Sequence, residues 1–143
     1  MIRISKNQII FGGNYFTAHL PPSSCWLVWD KDNAESFFAD CELAWTSFPK
    51  AVRKFKWRWF GMLQEQMGAN KEYRFHPTQK PLELMKWCIE NYSKESNLIF
   101  DGFLGSGSTI LAAKYLKRNF IGIEISKEYC EIAESRLKQE MLF

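Results

Sequence analysis

The sequence predicts an α/β fold: one domain with a mostly parallel β-sheet that carries helices on both faces. The chain has 143 residues, 46% of them hydrophobic, which suits one compact core and is short for two full domains. In the second half, continuously apolar segments alternate with amphipathic ones, as in buried parallel strands and the helices that connect them. The segment 97–124 predicts one right-handed strand–helix–strand unit.

The second half predicts helix, strand, helix, strand and helix in that order. The first helix, KPLELMKWCIENYS (80–93), has a proline at its start and apolar residues at helical spacing. The strands NLIFD (97–101) and FIGIE (120–124) are continuously apolar, which predicts buried strands on either side of the helix GSTILAAKYLKR (107–118). The last helix, SKEYCEIAESRLKQEML (126–142), is capped by its first serine. Its apolar stripe consists of Tyr129, Ile132, Ala133 and Leu137.

The N-terminal half is less regular. The segments NQIIFGG (7–13), CWLVWD (25–30) and CELAWTSF (41–48) predict strands, with a loop between the first two. In AVRKFKWRWFG (51–61), aromatic and basic residues alternate, which predicts a strand with one aromatic and one basic face. The segment 61–79 predicts a loop or a short helix.

Composition and cysteine spacing argue against several classes of protein. The net charge is +3 and the pI about 8.7, which is only a weak indication of an anionic partner. The four cysteines form no C-x-x-C pair, and the chain has only two histidines, so we expect no metal site. The same cysteine pattern predicts a reduced, cytoplasmic protein. No apolar run approaches the roughly 18 residues of a membrane span, and the N-terminus lacks the apolar core of a secretion signal.

The segment LIFDGFLGSGST (98–109) predicts a ligand site. Asp101 ends a strand, and Gly105 and Gly107 follow directly before a helix. In parallel α/β sheets, ligands bind at the carboxyl ends of strands, where glycine lets the backbone approach the ligand. Glu124 ends the next strand, 23 residues after Asp101, where a carboxylate accepts hydrogen bonds from ribose hydroxyls. A tight turn with solvated acids is the alternative, but the combination favours an adenosine-containing cofactor.

The spacing of the glycines selects among such cofactors. The pattern D-x-F-x-G-x-G lacks the third glycine of the dinucleotide motif, and a pyrophosphate would tolerate an acid at the strand end poorly. An acid suits a ligand with a cationic amino group, which S-adenosylmethionine has. A small nucleotide-binding oxidoreductase is therefore disfavoured.

These motifs resemble those of the DNA amino-methyltransferases. FDGFLGSGST (100–109) looks like their D-P-F-x-G-x-G-T cofactor motif, and HPTQKP (76–81) is similar to the H-P-T-x-K-P box that precedes it. FIGIEISKEYCEIAESRL (120–137) resembles the strand and helix that follow. The motif order is that of the β group, and NQIIFGGNYF (7–16) looks like its phage-type adenine methyltransferases. The resemblance implies a Rossmann-like enzyme of restriction and modification that transfers methyl from S-adenosylmethionine to adenine N6, less often cytosine N4, in DNA.

The resemblance implies a role for each residue of the glycine motif. Asp101 would face the methionine amino group, directly or through water. Phe103 would pack near the adenine or the methionine part. Gly105 and Gly107 would let the backbone come close, and Glu124 would hold the ribose.

The H-P-T box adds three residues to the implied cofactor site. Thr78 and Lys80 would reach the methionine carboxylate. His76 is a further candidate, with a hydrogen bond to backbone as its alternative role. Gly102 stands where the family usually has proline, which loosens the turn and removes no ligand group.

The family's D/N/S-P-P-Y/F/W tetrapeptide does not occur in the 143 residues. Its polar side chain and a proline carbonyl accept hydrogen bonds from the target amine, and its aromatic ring stacks on the flipped base. The one Pro-Pro, LPPSS (20–24), has leucine and serine at the flanking positions. We therefore expect a methyltransferase that lacks its N-terminal part, has no assignable catalytic residue and is weakly active or inactive alone.

This expectation implies a partner and assigns the two parts of the chain to different functions. A second chain would supply the missing strands, or the protein would self-associate, because an apolar sheet edge invites pairing. Residues 1–75 would form the part that faces the target and DNA, and residues 76–143 the part that binds the cofactor. The alternative is a non-catalytic partner subunit or remnant that binds cofactor or DNA.

A basic segment is the candidate DNA contact. Its five cations lie within nine residues: Lys50, Arg53, Lys54, Lys56 and Arg58. Four of them, Arg53, Lys54, Lys56 and Arg58, are the predicted DNA-binding residues. They predict phosphate contacts that weaken with salt, whereas the alternative is a solvated strand face. The segment lies between the two halves of the family pattern, where target recognition usually lies, and this position favours DNA.

Overall fold

The chain forms two compact units, Met1–Lys71 and Glu72–Phe143. The computed structural model describes residues 2–33, 37–60 and 63–139. The first unit is built mainly from strands, and the second contains three helices and two strands among the described residues. The grouping of both into one methyltransferase domain stays a prediction.

The first unit is built on a four-stranded mixed sheet. Its strands are β1 (Ile9–Phe11), β2 (Trp26–Asp30), β3 (Cys41–Thr46) and β4 (Arg53–Lys56), in the order β1-β3-β2-β4. β3 pairs antiparallel with β1 and β2, whereas β2 pairs parallel with β4. Side chains of β2 alternate between buried and half-buried, which is typical of a sheet with one packed face. The three predicted strands are therefore confirmed, but the prediction of a mostly parallel sheet is wrong for this unit.

The predicted strand 51–61 is interrupted after Lys56. The N–H of Trp57 donates to the Asp30 carbonyl at 2.9 Å, and the Trp57 carbonyl accepts the indole N–H of Trp29 at 3.0 Å. A second, short pairing follows between β5 (Trp59–Phe60) and β6 (Leu63–Gln64).

The predicted aromatic face of segment 51–61 continues in part beyond the interruption after Lys56. The rings of Phe55 and Trp57 stack with their centroids 6.0 Å apart, and Trp59 is buried at 5% exposure. Trp59 therefore belongs to the core of this unit. Within the predicted loop 61–79, residues 61–62 lie outside the described residues, and a turn of 3₁₀-helix spans Gly68–Asn70.

The second unit has the predicted order of elements. They are α1 (Leu82–Tyr92), β7 (Leu98–Asp101), α2 (Ser108–Tyr115), β8 (Asn119–Gly122) and α3 (Lys127–Gln139). β7 and β8 pair in parallel, in register from Leu98 with Asn119 to Asp101 with Gly122, which confirms the strand–helix–strand unit. The Ser126 hydroxyl accepts the N–H of Tyr129 at 3.4 Å and so caps α3 as predicted. Residues 140–142 of the predicted last helix lie outside the described residues.

Helix α2 covers one face of the β7–β8 pair. A side chain at Gly122 would lie 2.7 Å from Leu104 and 3.3 Å from Ile110 of α2, so Gly122 faces that helix. Ile121 and Ile123 point to the opposite face because side chains alternate along a strand, and they are 48% and 54% exposed. The prediction that this second strand is buried is therefore wrong, and the expected helices on the opposite face are not found among the described residues of this unit.

Candidate functional site

The loop between β7 and α2 is held against the end of β8. The Asp101 carboxylate accepts the N–H of Phe103 at 3.0 Å, which turns the chain at the end of β7. Backbone hydrogen bonds join the Asp101 carbonyl to the N–H of Ile123 at 2.8 Å and the Ile123 carbonyl to the N–H of Leu104 at 3.0 Å. As the spacing predicts, Asp101 and Glu124 therefore lie at the carboxyl ends of two adjacent parallel strands.

Backbone conformation and packing explain why glycine occupies positions 105 and 107 of the loop. Gly105 and Gly107 have φ angles of 55° and 88°, a left-handed conformation that favours glycine. A side chain at Gly107 would lie 2.9 Å from the Cβ of Ala133, so this glycine also allows α3 to pack against the start of α2. A side chain at Gly105 would make ordinary contact with the His76 ring at 3.6 Å. Close approach of a ligand to these glycines stays a prediction.

Glu124 anchors the glycine loop. Its Oε2 accepts the N–H of Gly105 at 2.7 Å, and its Oε1 accepts the N–H of Ser126 at 2.9 Å. The backbone N–H groups of Ser126 and Gly105 hold the pKa of the Glu124 carboxyl below its ordinary value. The carboxylate is therefore ionised at neutral pH and half-exposed, as an acceptor for ribose hydroxyls should be.

The H-P-T box folds back on itself beside the loop. The Nδ1 of His76 accepts the N–H of Thr78 at 3.1 Å, so the proton of the neutral ring lies on Nε2. The His76 ring packs on Tyr129 with centroids 4.5 Å apart and faces Gly105. Lys80 donates to the Thr78 carbonyl at 3.3 Å. The structure thus brings His76 to the glycine loop, and the roles of Thr78 and Lys80 toward a methionine carboxylate stay predictions.

Phe103 lies at the tip of the loop and is 81% exposed. It is held there by the hydrogen bond from its N–H to Asp101. An exposed aromatic ring at the carboxyl end of a parallel strand is available to a ligand, and its predicted contact with the cofactor stays a prediction.

A buried polar network, which the predicted site residues do not include, joins the box to the loop. Arg136 of α3 is 7% exposed and donates to the Ser106 carbonyl at 2.7 Å and to Glu72 at 3.2 Å. Gln79 accepts the Ser106 hydroxyl at 2.9 Å and donates to Glu72 at 2.8 Å. The sequence does contain a signal, because Arg136 falls on the apolar stripe of α3, where a charge requires a partner.

Burial dominates the electrostatics of this network. Burial raises the pKa of Glu72, and the hydrogen bond from the Leu82 N–H and the charge of Arg136 oppose that shift. Burial likewise lowers the pKa of Arg136, which the Glu72 carboxylate opposes. Desolvation thus exceeds the attraction between the two charges, as is common for buried ion pairs.

In the first unit, three of the four predicted DNA-binding cations are paired with acids at the end of β2 or just after it. Lys54 contacts Asp30 at 3.2 Å, and Lys56 and Arg58 contact Asp32 at 2.7 and 2.6 Å. Hydrogen bonds from Lys56 and Arg58 hold the pKa of Asp32 below its ordinary value. The surface still has more cations than acids, but its excess positive charge is smaller than the sequence pattern indicates.

Arg53 completes the predicted set and is exposed, with its guanidinium against the Val52 carbonyl at 3.3 Å. The acids Asp30 and Asp32 lie in the segment DKDN (30–33), whose sequence is typical of turn or surface acids. Their pairing with β4 required knowledge of which strand lies beside β2.

Three further findings on the described residues concern metal sites, cysteine thiols and membrane-spanning helices. No group of three or more His, Cys, Asp or Glu side chains in the described ranges has the arrangement of a metal site. The four cysteines are free thiols, and burial raises the pKa of Cys88 to about 12. Within the part of the chain that the structure describes, every helix is too short or too polar to cross a lipid bilayer.

Known sequences match most of the chain. The family model described as DNA methylase, N6_N4_Mtase, matches residues 26–135. The type II methyltransferase M2.DpnII of Streptococcus pneumoniae is 45% identical over 82 residues, which are 57% of this chain and 30% of that protein. The type II methyltransferase M2.MboI of Moraxella bovis is 33% identical over 127 residues, 88% of this chain and 44% of that protein. The chain thus spans less than half the length of these curated relatives.

Solved structures match as well. The crystal structure of the M1.HpyAVI–SAM complex is 29% identical with a TM-score of 0.63, over 92% of this chain and 74% of that one. The cytosine-N4-specific PvuII DNA methyltransferase is 17% identical with a TM-score of 0.56, over 79% of this chain and 50% of that one, a likeness of fold alone. These likenesses confirm the predicted methyltransferase fold.

Proposed function

This chain belongs to the DNA methylase family, and from that premise we propose that it binds S-adenosylmethionine as part of a DNA methyltransferase. The observation that carries the proposal is the pair of strand-end acids, Asp101 and Glu124, with a left-handed glycine loop between them. Glu124 is ionised and half-exposed beside the loop amide of Gly105, where it would accept the ribose hydroxyls. Asp101 would pair with the methionine ammonium, and both contacts suit an adenosyl amino acid better than a dinucleotide.

The direct test is calorimetric titration of the chain with S-adenosylmethionine, with its demethylated product S-adenosylhomocysteine and with NAD. We expect both adenosyl ligands to bind and NAD to show no measurable heat of binding. NAD binding in the absence of any response to the two adenosyl ligands would refute the cofactor assignment.

The proposed reaction is methyl transfer to the exocyclic amine of a base in DNA, with adenine N6 favoured over cytosine N4. S-adenosylmethionine would supply the methyl group as an electrophile. The amine is a weak nucleophile because its lone pair is delocalised into the ring, so hydrogen-bond acceptors must orient it in line with the methyl group. No residue of this chain matches the acceptor of the family's tetrapeptide.

We propose that the acceptor is supplied by a segment beyond these 143 residues, in the same polypeptide or in a second chain. The exposed face of the β7–β8 pair supports this proposal. Parallel strands are normally covered on both faces, yet Leu98, Ile121 and Ile123 are 55%, 48% and 54% exposed. Helices of that segment would cover this face, and its strand that carries Asp-Pro-Pro-Tyr would add to an edge of the pair, because β7 and β8 pair only with each other among the described residues. Self-association of this chain is the competing outcome.

The proposed DNA contact is the β4 surface of Arg53, Lys54, Lys56 and Arg58. Phosphate contacts by such cations are independent of base sequence and weaken with salt. Binding would compete with the ion pairs to Asp30 and Asp32, which contact three of the four cations. DNA as partner, together with four free thiols, favours the cytoplasm as the location.

The second candidate function is a non-catalytic subunit that binds cofactor or DNA for a partner. The absence of the tetrapeptide from the 143 residues favours it. The two candidates predict the same cofactor binding and differ in whether methyl transfer appears when the tetrapeptide segment is provided.

A further inference from the structure

We infer that Arg136, with Glu72 and Gln79, positions the glycine loop relative to the H-P-T box, so that one cofactor molecule can contact both. The inference rests on the proposed binding of S-adenosylmethionine and names the residues that hold that site in shape. Arg136 is a positioning residue and is assigned no contact with the cofactor.

Arg136 contacts the loop at its most adaptable point. Ser106 lies between two glycines in the left-handed conformation, and such a segment is costly to order. Its carbonyl accepts from Arg136 Nη1 at 2.7 Å, and its Oγ lies 3.3 Å from the same nitrogen. Ser106 is 3% exposed, so these hydrogen bonds are shielded from water. Glu124 holds the amide of Gly105 from the other side, and the loop is thereby fixed at two consecutive residues.

The same network folds the H-P-T box. The Glu72 carboxylate accepts from Arg136 at 3.2 Å, from Gln79 at 2.8 Å and from the N–H of Leu82 at 2.9 Å. Gln79 lies within the box, is 6% exposed, and also accepts the N–H of Phe75 at 2.9 Å. One carboxylate therefore joins the box, the start of α1 and the arginine that holds the loop.

The Ser106 hydroxyl makes the connection direct. It donates to Gln79 Oε1 at 2.9 Å, so one hydrogen bond joins the glycine motif to the box without Arg136. The guanidinium also lies 5.2 Å from the centre of the Phe75 ring, in the segment that precedes the box. A shift of the box would thus break contacts with the loop at several points.

Stability alone is a poor explanation for such a network. A buried arginine–carboxylate pair loses much of its attraction to desolvation, and an apolar pair of similar volume is often as stable. What an apolar pair does not provide is a directed donor for the Ser106 carbonyl. The geometry therefore points to a role in the shape of the loop.

The test compares Arg136→Met with Lys138→Met, a charge removal on the same helix at a 76% exposed side chain. Each variant of the full chain is titrated with S-adenosylmethionine and with adenosine at a temperature where circular dichroism shows it folded. For Arg136→Met we expect affinity for S-adenosylmethionine to fall about tenfold or more, with adenosine affinity within about threefold, because adenosine does not need the box. Lys138→Met should match the wild type with both ligands.

Equal affinity of folded Arg136→Met and wild type for S-adenosylmethionine would overturn the inference. An equal loss for both ligands would also overturn it, since that pattern indicates general damage to the fold. If Arg136→Met does not fold, Ser106→Ala replaces it. That variant keeps the carbonyl contact and removes only the hydroxyl. It should lower the affinity for S-adenosylmethionine about threefold or more and leave the affinity for adenosine unchanged.

A second readout needs no ligand. In Arg136→Met or Ser106→Ala, amide hydrogen exchange in the peptide that contains residues 102–109 should accelerate about tenfold or more, while α1 keeps its protection. Unchanged exchange in that peptide would overturn the inference whether or not the chain binds a cofactor. Failure of the wild type to bind either adenosyl ligand would instead count against the proposed function, and the exchange result would then decide the inference alone.

Discussion

Glu124 Oε2 accepts the N–H of Gly105 at 2.7 Å, which joins the end of β8 to the middle of the glycine loop. The residue proposed to bind the ribose is thus also an anchor of the loop that surrounds it. A ligand hydroxyl would meet a carboxylate that is already oriented by two backbone N–H groups. Such pre-organisation lowers the entropic cost of binding.

Removal of either strand-end acid should weaken the binding of the cofactor. We expect Asp101→Ala and Glu124→Ala each to reduce affinity for S-adenosylmethionine about 10- to 100-fold, the loss typical of a charge-assisted hydrogen bond. Glu124→Ala should be the more damaging, since it also releases Gly105. Calorimetric titration measures both, with Glu131→Ala on the exposed face of α3 as the control. Wild-type affinity in both variants would exclude the ends of β7 and β8, where Asp101 and Glu124 lie, as the cofactor site.

The hydrogen bonds of Glu124 should also make the stability of the folded state depend on pH. The folded state lowers the pKa of Glu124 below its ordinary value of 4.5, so its contribution is fully present above that pH and is lost as pH falls through the lowered value. Glu124→Gln mimics the protonated state. Thermal unfolding should therefore show the wild type more stable than this variant at pH 7, with a gap that narrows below pH 4.5. A gap that widens on acidification would contradict the assignment.

Gly107 should tolerate a side chain less well than Gly105 does. Both have positive φ, but only at Gly107 would a Cβ come within 2.9 Å of Ala133. Gly105→Ala should cost about 1 kcal/mol of unfolding free energy from backbone strain, and Gly107→Ala about 1–3 kcal/mol more because α3 must move. Denaturant unfolding of the two variants checks this, and equal costs would show that the helix contact is not limiting.

The basic surface should bind DNA in a salt-sensitive way. Alanine at Arg53, Lys54, Lys56 and Arg58 should lower affinity for any duplex and flatten the logarithmic salt slope by about 0.9 per lost phosphate contact. Asp32→Asn should act in the opposite direction, since it releases Lys56 and Arg58 from their shared carboxylate. Fluorescence anisotropy at several salt concentrations measures both effects.

The control for that experiment removes the same charge elsewhere. It replaces four exposed cations of the second unit with alanine: Lys94, Lys117, Lys127 and Lys138. DNA binding that survives the β4 substitutions, or that falls equally in the control, would remove the β4 surface as the contact.

Methyl transfer should require the tetrapeptide. We expect the chain alone to incorporate little or no tritiated methyl group into unmethylated DNA, because nothing in it matches the family's acceptor. A fused or separate segment that carries Asp-Pro-Pro-Tyr on its strand should restore transfer, and the same segment with Ala-Pro-Pro-Ala should not. Robust turnover by the chain alone would locate the acceptor elsewhere. Asp30 and Glu42 would then be the next candidates, although both now form ion pairs, with Lys54 and Lys31.

The sequence by itself determined the features that depend on near neighbours in the chain. The order of elements in the second unit, the cap at Ser126 and the two strand-end acids all follow from periodicity and turn chemistry over a few residues. These patterns are local, so they can be read before the chain folds.

Only the tertiary structure decided which distant residues meet. Arg136 contacts Glu72 across 64 positions, and Lys54 meets Asp30 across 24, so neither pairing has a local pattern. The exposure of Ile121 was equally hidden, because an apolar strand has the same sequence whether or not its second face is covered. Strand order and packing against other elements decide these outcomes: they place Arg136 at the centre of a buried network and leave one face of the predicted buried strand β8 exposed.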